Sequence, residues 1–160
     1  MLQANSLFMG SDTSQRLTVY IDGASRGNPG PAGIGVYIKD ERGSTELRVS
    51  SYIGEATNNE AEYRALIRAL EEAVRLEADE VDIRSDSELV VRQVKGSYRV
   101  RKDNLKPLFQ EAKHLLESFG AFAITHIPRE QNATADALAG EAIEKHLRRQ
   151  SVFKSGKLGW

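Results

Sequence analysis

The chain contains no cysteine, which excludes a disulfide framework and any thiolate-bound metal. That composition is compatible with a reducing cytosol, and a cytoplasmic location is the expectation. No apolar run approaches the roughly 20 residues needed to span a bilayer, so no membrane partner is expected. Residues 1–15 lack a basic stretch followed by an apolar core, and so do not read as a secretory signal. They are expected to be a disordered polar leader. The chain also lacks an excess of either charge: 22 Lys and Arg stand against 23 Asp and Glu, a formal net charge of −1. Proteins that hold nucleic acid by bulk charge are usually basic. Nucleic acid binding here would need a local basic patch, neutral donors, or metal ions that bridge to phosphate. Internal repeats and low-complexity segments are absent as well.

What is present fits one globular domain. The 160 residues are 40% apolar and 28% charged, enough for a real core. Residues 16–22 alternate Leu17, Val19 and Ile21 against Thr18 and Tyr20, a strand ending at Asp22. A loop rich in glycine and proline is predicted over 23–35. Strands follow at 34–40 and 45–53, joined by a turn at 41–44, which suggests an antiparallel meander. From 58 to 77 the period becomes helical, with Tyr63, Leu66, Ile67, Leu70 and Val74 on one stripe. A strand at 80–85, a short helix at 86–95, a basic connector at 96–103 and a helix at 104–119 come next. Pro107 falls in the first turn of that helix, where proline is tolerated. A strand at 122–127 and an alanine-rich helix at 131–149 complete the pattern. Late strands alternating with helices should run parallel through right-handed crossovers. The fold expected is α/β, a five-stranded mixed sheet, three antiparallel strands first and parallel strands after, flanked by helices. The domain is expected over 16–149, with a basic tail at 150–160.

Four carboxylates stand at positions that carry chemistry, and each also has a structural reading. Asp22 precedes Gly23 and fits a turn. Glu62 lies three residues after Asn59, the spacing of a capping box. Asp86 follows the fourth strand, with Ser85 and Glu88 also at capping-box spacing, and acids are favoured at helix starts. Asp136 sits among Ala133, Ala135, Ala137 and Ala139 and fits an ordinary surface acid, or a thin helix face that something approaches closely. Together they say more. The first and fourth strands can be neighbours in an open α/β sheet, with a ligand site outside their carboxyl ends. Helix starts would bring Glu62 and Asp136 from the flanks. Clustered carboxylates repel unless a positive group compensates them, and Mg²⁺ takes oxygen ligands while keeping waters that a substrate can replace.

The segments YIDGASRGNPGPAGIG at 20–35, TNNEAEYRAL at 57–66, SDSELVVRQVKG at 85–96 and PREQNATADALAG at 128–140 together resemble type 1 ribonuclease H, in order, over most of 17–147. The resemblance implies the ribonuclease H-like fold. It implies endonucleolytic hydrolysis of the RNA strand of RNA/DNA hybrids by two metal ions, Mg²⁺ with Mn²⁺ as a substitute, leaving 5′-phosphate and 3′-hydroxyl ends. It implies Asp22, Glu62, Asp86 and Asp136 as the metal-binding catalytic acids, with Glu60 dispensable. For the substrate it implies Asn28, Asn58 and Asn59 near 2′-hydroxyls and base edges. Gly23, Ala24, Ser25 and Arg26 would lie close to the RNA strand, and Thr57 at a DNA-strand phosphate. A monomer bound to the hybrid is the expected state.

Two departures from the family pattern stand out. Many members carry a mobile loop histidine ten residues before the last acid. His126 has that count, but it reads as the end of the fifth strand, so the loop histidine is absent. Arg129 is the residue nominated to act in its place, on a phosphate or the leaving product; the alternative is a surface pair with Glu130 or Glu141. The family's basic protrusion is shortened to Arg92, Lys95, Arg99, Arg101, Lys102 and Lys106 around Tyr98, either a DNA-strand contact or a solvated surface. In the tail, Arg148, Arg149, Lys154 and Lys157 would add charge, whereas Phe153 and Trp160 would equally suit docking on the core. A hybrid-binding module without catalysis, another nuclease on a similar sheet and a small-molecule phosphatase are the competing readings. The full set of acids opposes the first, and the Thr-Asn-Asn and Gly-Asn-Pro-Gly runs oppose the second. The acids alone leave the third open.

Overall fold

The computed structural model describes residues 15–158, with side chains through Lys154. The leader expected at 1–15 lies outside the described residues except for Gln15, and Trp160 and the Lys157 side chain lie outside them too. The elements are β1 (Arg16–Ser25), β2 (Gly30–Asp40), β3 (Glu46–Ala56), α1 (Asn58–Arg75), β4 (Glu80–Ser85), α2 (Glu88–Lys95), α3 (Lys106–Leu116), β5 (Ala121–His126), a 3₁₀ turn (Arg129–Gln131) and α4 (Ala133–Leu158). The sheet runs β3-β2-β1-β4-β5. β1, β2 and β3 pair antiparallel; β4 pairs parallel with both β1 and β5. The mixed sheet expected from the sequence is therefore present, and β1 and β4 are its central neighbours.

Alternation in the strands decides what each face buries. Leu17, Val19 and Ile21 of β1, Val36 and Ile38 of β2 and Ile83 of β4 are fully buried, in one core with Tyr63, Leu66 and Leu70 of α1. Of the predicted stripe on α1, Val74 departs from this core and is 42% exposed. The opposite face takes α4. Its small residues come against glycines of β2: a Cβ on Gly35 would lie 2.0 Å from Ala135 O, and one on Gly33 2.7 Å from Ala139 O. The thin helix face around Asp136 therefore reflects close approach of α4 to the sheet.

Several boundaries differ from expectation. The segment 23–35 is mostly strand, because pairing continues through Ser25 opposite Ala32; only 26–29 is hairpin loop. The glycines there serve close packing as much as turning. The N-cap of α1 is Thr57, which forms a capping box with Glu60, so the Asn59–Glu62 pairing is not used. The N-cap of α2 is Ser87, which accepts from Val90 N, while Ser85 Oγ accepts from Ser87 N at 3.0 Å. The last helix starts at Ala133, after the 3₁₀ turn, and does not end at 149 but continues to Leu158. Phe153 lies on that exposed extension and does not dock on the core. Among the described residues no helix is long and apolar enough to cross a membrane.

Candidate active site

The parallel pairing of β1 and β4 puts Asp22 and Asp86 at adjacent strand ends, as Ile21 stands opposite Ser85. α1 starts across β1 and delivers Glu62. A side chain on Gly23 would collide with the α1 backbone, its Cβ 2.2 Å from Ala61 C, so glycine is what lets β1 and α1 meet here. Gly23 N–H donates to Glu62 Oε1 at 2.8 Å. Oxygens of Asp22, Glu62 and Asp86 lie within 4.8 Å of one another. Asp136, from the first turn of α4, flanks this triad. All four acids line one open cleft, with Gly23, Ala24, Asn58, His126 and Arg129.

The electrostatics follow from burial. Asp22 is 5% exposed. Desolvation, then the charge of Asp86, then a shared hydrogen bond with Asp136 push its carboxyl up to about 8. Glu62 is held well above the usual carboxylate range by burial first and the charge of Asp22 second. Glu60 goes the other way, lowered chiefly by the hydrogen bond from the Thr57 backbone within the capping box. The chain thus has two acids in one helical turn with opposite environments: Glu60 caps, and Glu62 faces the cleft. Compression of oxygen donors against their own repulsion fits a hard divalent cation, which relieves that repulsion.

The substrate-side residues also converge. Asn58 Oδ1 accepts from Ser25 N at 3.0 Å, and Asn28 Oδ1 accepts from Asn58 N at 3.0 Å. Each amide thereby spends its oxygen on backbone and turns its NH₂ outward as a donor. Thr57 Oγ1 accepts from Glu60 N at 3.1 Å, and Asn59 stands half-buried in the first turn beside it. Ser25 Oγ lies against the carbonyls of Ala56, at 2.8 Å, and Gly27. Arg26 turns away from the cleft to pair with Glu144 of α4 at 2.7 Å. Arg129 pairs with Asp136 at 3.5 Å rather than with Glu130 or Glu141. His126 ends β5, as expected of a strand residue, yet its ring lines the cleft, with Nε2 3.3 Å from Asp86 O.

Asn132 escaped the sequence reading. It is 1% exposed, and its Nδ2 reaches Ile21 O at 2.8 Å and Asp86 Oδ2 at 3.3 Å. It joins β1, β4 and the start of α4 behind the acids. Asparagine directly before an alanine-rich helix was the available signal, but that pattern reads equally as a helix cap.

A mixed sheet in this order, with acids gathered at the ends of its central parallel strands and at two helix starts, defines the ribonuclease H-like class of hydrolases. A family model described as reverse transcriptase-like matches residues 20–142. "Ribonuclease HI" of Halobacterium salinarum is 44% identical over 133 residues, which cover 83% of this chain and 67% of the relative. The chain belongs to the type 1 ribonuclease H family. A "Bifunctional protein" of Mycobacterium tuberculosis is 42% identical over 130 residues, and there the match covers only 36% of the relative's length. Among solved structures, RNase H1 of Halobacterium salinarum aligns with a TM-score of 0.77 over 81% of this chain and 98% of that one, at 44% identity. An RNase H1 isolated from compost and solved with an RNA/DNA hybrid aligns at 0.74, with 49% identity over 82% and 99%.

Proposed function

We propose that the protein is an endoribonuclease that hydrolyses the RNA strand of RNA/DNA hybrids, leaving 5′-phosphate and 3′-hydroxyl ends. The observation that carries the reading is the convergence of Asp22, Glu62 and Asp86 within 4.8 Å, beside an asparagine-lined surface. The compost relative binds such a hybrid. Asp22, Glu62, Asp86 and Asp136 would hold two Mg²⁺ ions, or Mn²⁺ in their place. Such ions activate water and stabilise charge on the attacking and leaving oxygens.

The chain's own residues do the rest. Gly23 N–H and Asn132 orient Glu62 and Asp86. The outward NH₂ groups of Asn28 and Asn58, with Asn59 beside them, donate to 2′-hydroxyls and base edges, and the 2′-hydroxyl separates RNA from DNA. Gly23, Ala24 and Ser25 give the RNA strand a narrow edge to approach. Arg26 contributes backbone there, since its side chain is paired with Glu144. Thr57 keeps a hydroxyl proton for a DNA-strand phosphate. Arg129, exposed and beside Asp136, supplies positive charge to the scissile phosphate or to the leaving product. The enzyme acts as a monomer.

The test is cleavage of labelled RNA/DNA hybrid, RNA duplex, DNA duplex and single-stranded RNA, with Mg²⁺ or with EDTA. Metal-dependent cutting confined to the RNA of the hybrid is expected. Equal cutting of the DNA duplex would overturn the reading.

A further inference from the structure

α4 continues beyond its last described contact with the sheet. Following its axis from the cleft, Ala135 lies over Gly35, Ala139 and Ile143 over Gly33, and Glu144 reaches Arg26 in the β1–β2 hairpin. Near the edge of the sheet His146 stacks on Tyr52, with ring centroids 3.6 Å apart. Every described side chain from Leu147 to Lys154 is exposed. The helix nevertheless runs on to Leu158. Leu158 thus lies about 21 Å along the helix axis from Glu144, the residue that reaches the hairpin carrying Arg26 and Asn28, at about 1.5 Å per residue.

The composition of this projection is one-sided. After Glu144 the chain has no acidic residue. Among the described residues no carboxylate pairs with Arg148, Arg149 or Lys154. This segment concentrates positive charge at the end of an otherwise acidic chain. We propose that the overhanging end of α4 is a second nucleic-acid contact, in which Arg148, Arg149 and Lys154 hold the sugar-phosphate backbone of the hybrid beyond the β1–β2 hairpin. This rests on the reading that the hybrid lies in the cleft.

Charge favours this occupant over a second copy of the chain. Val152 and Phe153 are 71% and 68% exposed, but two copies meeting through this segment would bring cations against cations. The distance along α4 also sets the length of hybrid required. Arg148 lies about 18 Å and Lys154 about 27 Å along the helix axis from Asp136. With the hybrid running along α4, as the proposal requires, one of about 8 base pairs centred on the cleft spans at most about 14 Å to either side, at no more than about 3.4 Å per step, and falls short of them, whereas one of about 24 reaches them.

The experiment compares the full chain with the triple variant Arg148→Gln, Arg149→Gln, Lys154→Gln; glutamine keeps helix propensity. Fluorescence anisotropy in EDTA reads binding of labelled hybrids of the two lengths across a salt series, and cleavage of the short hybrid with Mg²⁺ reads the site itself. The variant is expected to bind the long hybrid about tenfold more weakly, with a log–log salt slope smaller by about 2–3, at about 0.9 for each phosphate no longer neutralised. Its short-hybrid affinity and cleavage should match the unaltered chain. Equal affinity and slope on the long hybrid would overturn the second contact while leaving the proposed activity intact. So would a dimer in sedimentation that Phe153→Ser converts to monomer without loss of hybrid affinity. If the unaltered chain neither binds nor cuts either hybrid, the proposed activity falls, and the second contact falls with it.

Discussion

The backbone N–H of Gly23 donates to Glu62 Oε1 at 2.8 Å, in a place where a Cβ on Gly23 would sit 2.2 Å from Ala61 C and 2.4 Å from Glu62 N. One residue therefore sets both the approach of α1 to β1 and the aim of a candidate metal ligand. Gly23→Ala is expected to force the two elements apart. Overpacking against backbone costs about 2–3 kcal/mol, read as a fall in Tm of about 4–10 °C in thermal denaturation. Hybrid cleavage should be lost even at temperatures where the variant is folded.

Glu60 and Glu62 should separate stability from activity. Glu60→Ala removes half of the capping box with Thr57 and is expected to cost about 1 kcal/mol while cleavage persists. Glu62→Gln removes a carboxyl whose ionisation is opposed by desolvation and by Asp22, so it should abolish cleavage and leave the metal-free protein at least as stable. Parallel melting curves and hybrid-cleavage rates check both. Loss of cleavage in Glu60→Ala would shift the assignment from Glu62 to Glu60.

Asn132 should behave as a positioning residue. Asn132→Ala leaves Ile21 O buried without its donor, at a cost of about 1–3 kcal/mol, and frees Asp86 to move. Partners behind a metal ligand typically matter about 10- to 100-fold in affinity. The Mg²⁺ concentration for half-maximal cleavage should therefore rise about tenfold or more, by the same reasoning, with KM for hybrid little changed. A changed KM at saturating Mg²⁺ would place Asn132 in substrate binding instead.

The site should make the metal-free protein sensitive to pH. The Asp22 carboxyl is pushed up to about 8, so the folded state holds its proton more tightly than the unfolded state. Its contribution to stability is full below about pH 4 and is lost as pH rises through about 8. Without metal, this group makes Tm fall progressively between about pH 4 and about pH 8, and Asp22→Asn should flatten the fall. Because Mg²⁺ competes with the same proton, its affinity should rise over the same range. Calorimetry with EDTA and with excess Mg²⁺ reads both effects.

Arg129 and His126 compete for one role. Arg129 is 3.5 Å from Asp136, and the His126 ring meets the Asp86 carbonyl. Arg129→Ala is expected to lower kcat about tenfold, a modest effect for a positioned polar group, and His126→Ala to lower it less. The reverse order, in single-turnover cleavage, would assign the role to His126.

What the sequence determined by itself was local. Periods of two and of 3.6 marked which residues are strand and which are helix, because they record which faces are buried. The order of Asp22, Glu62, Asp86 and Asp136, each beside its own short pattern, was enough to expect one site. The Asn59–Glu62 spacing read as the cap of α1, whereas the helix is capped by Thr57 and Glu60. Only the path of the chain into the helix sends Glu60 back to Thr57 and leaves Glu62 for the cleft. Glycines read as loop in 23–35 because their other use, close approach of α1 and α4, depends on elements remote in sequence. Asn132 was missed for the same reason: its partners, Ile21 O and Asp86 Oδ2, are 111 and 46 residues away. Patterning reports what a residue does to its own turn or strand, whereas convergence, desolvation and the second side of every contact exist only after the chain has packed.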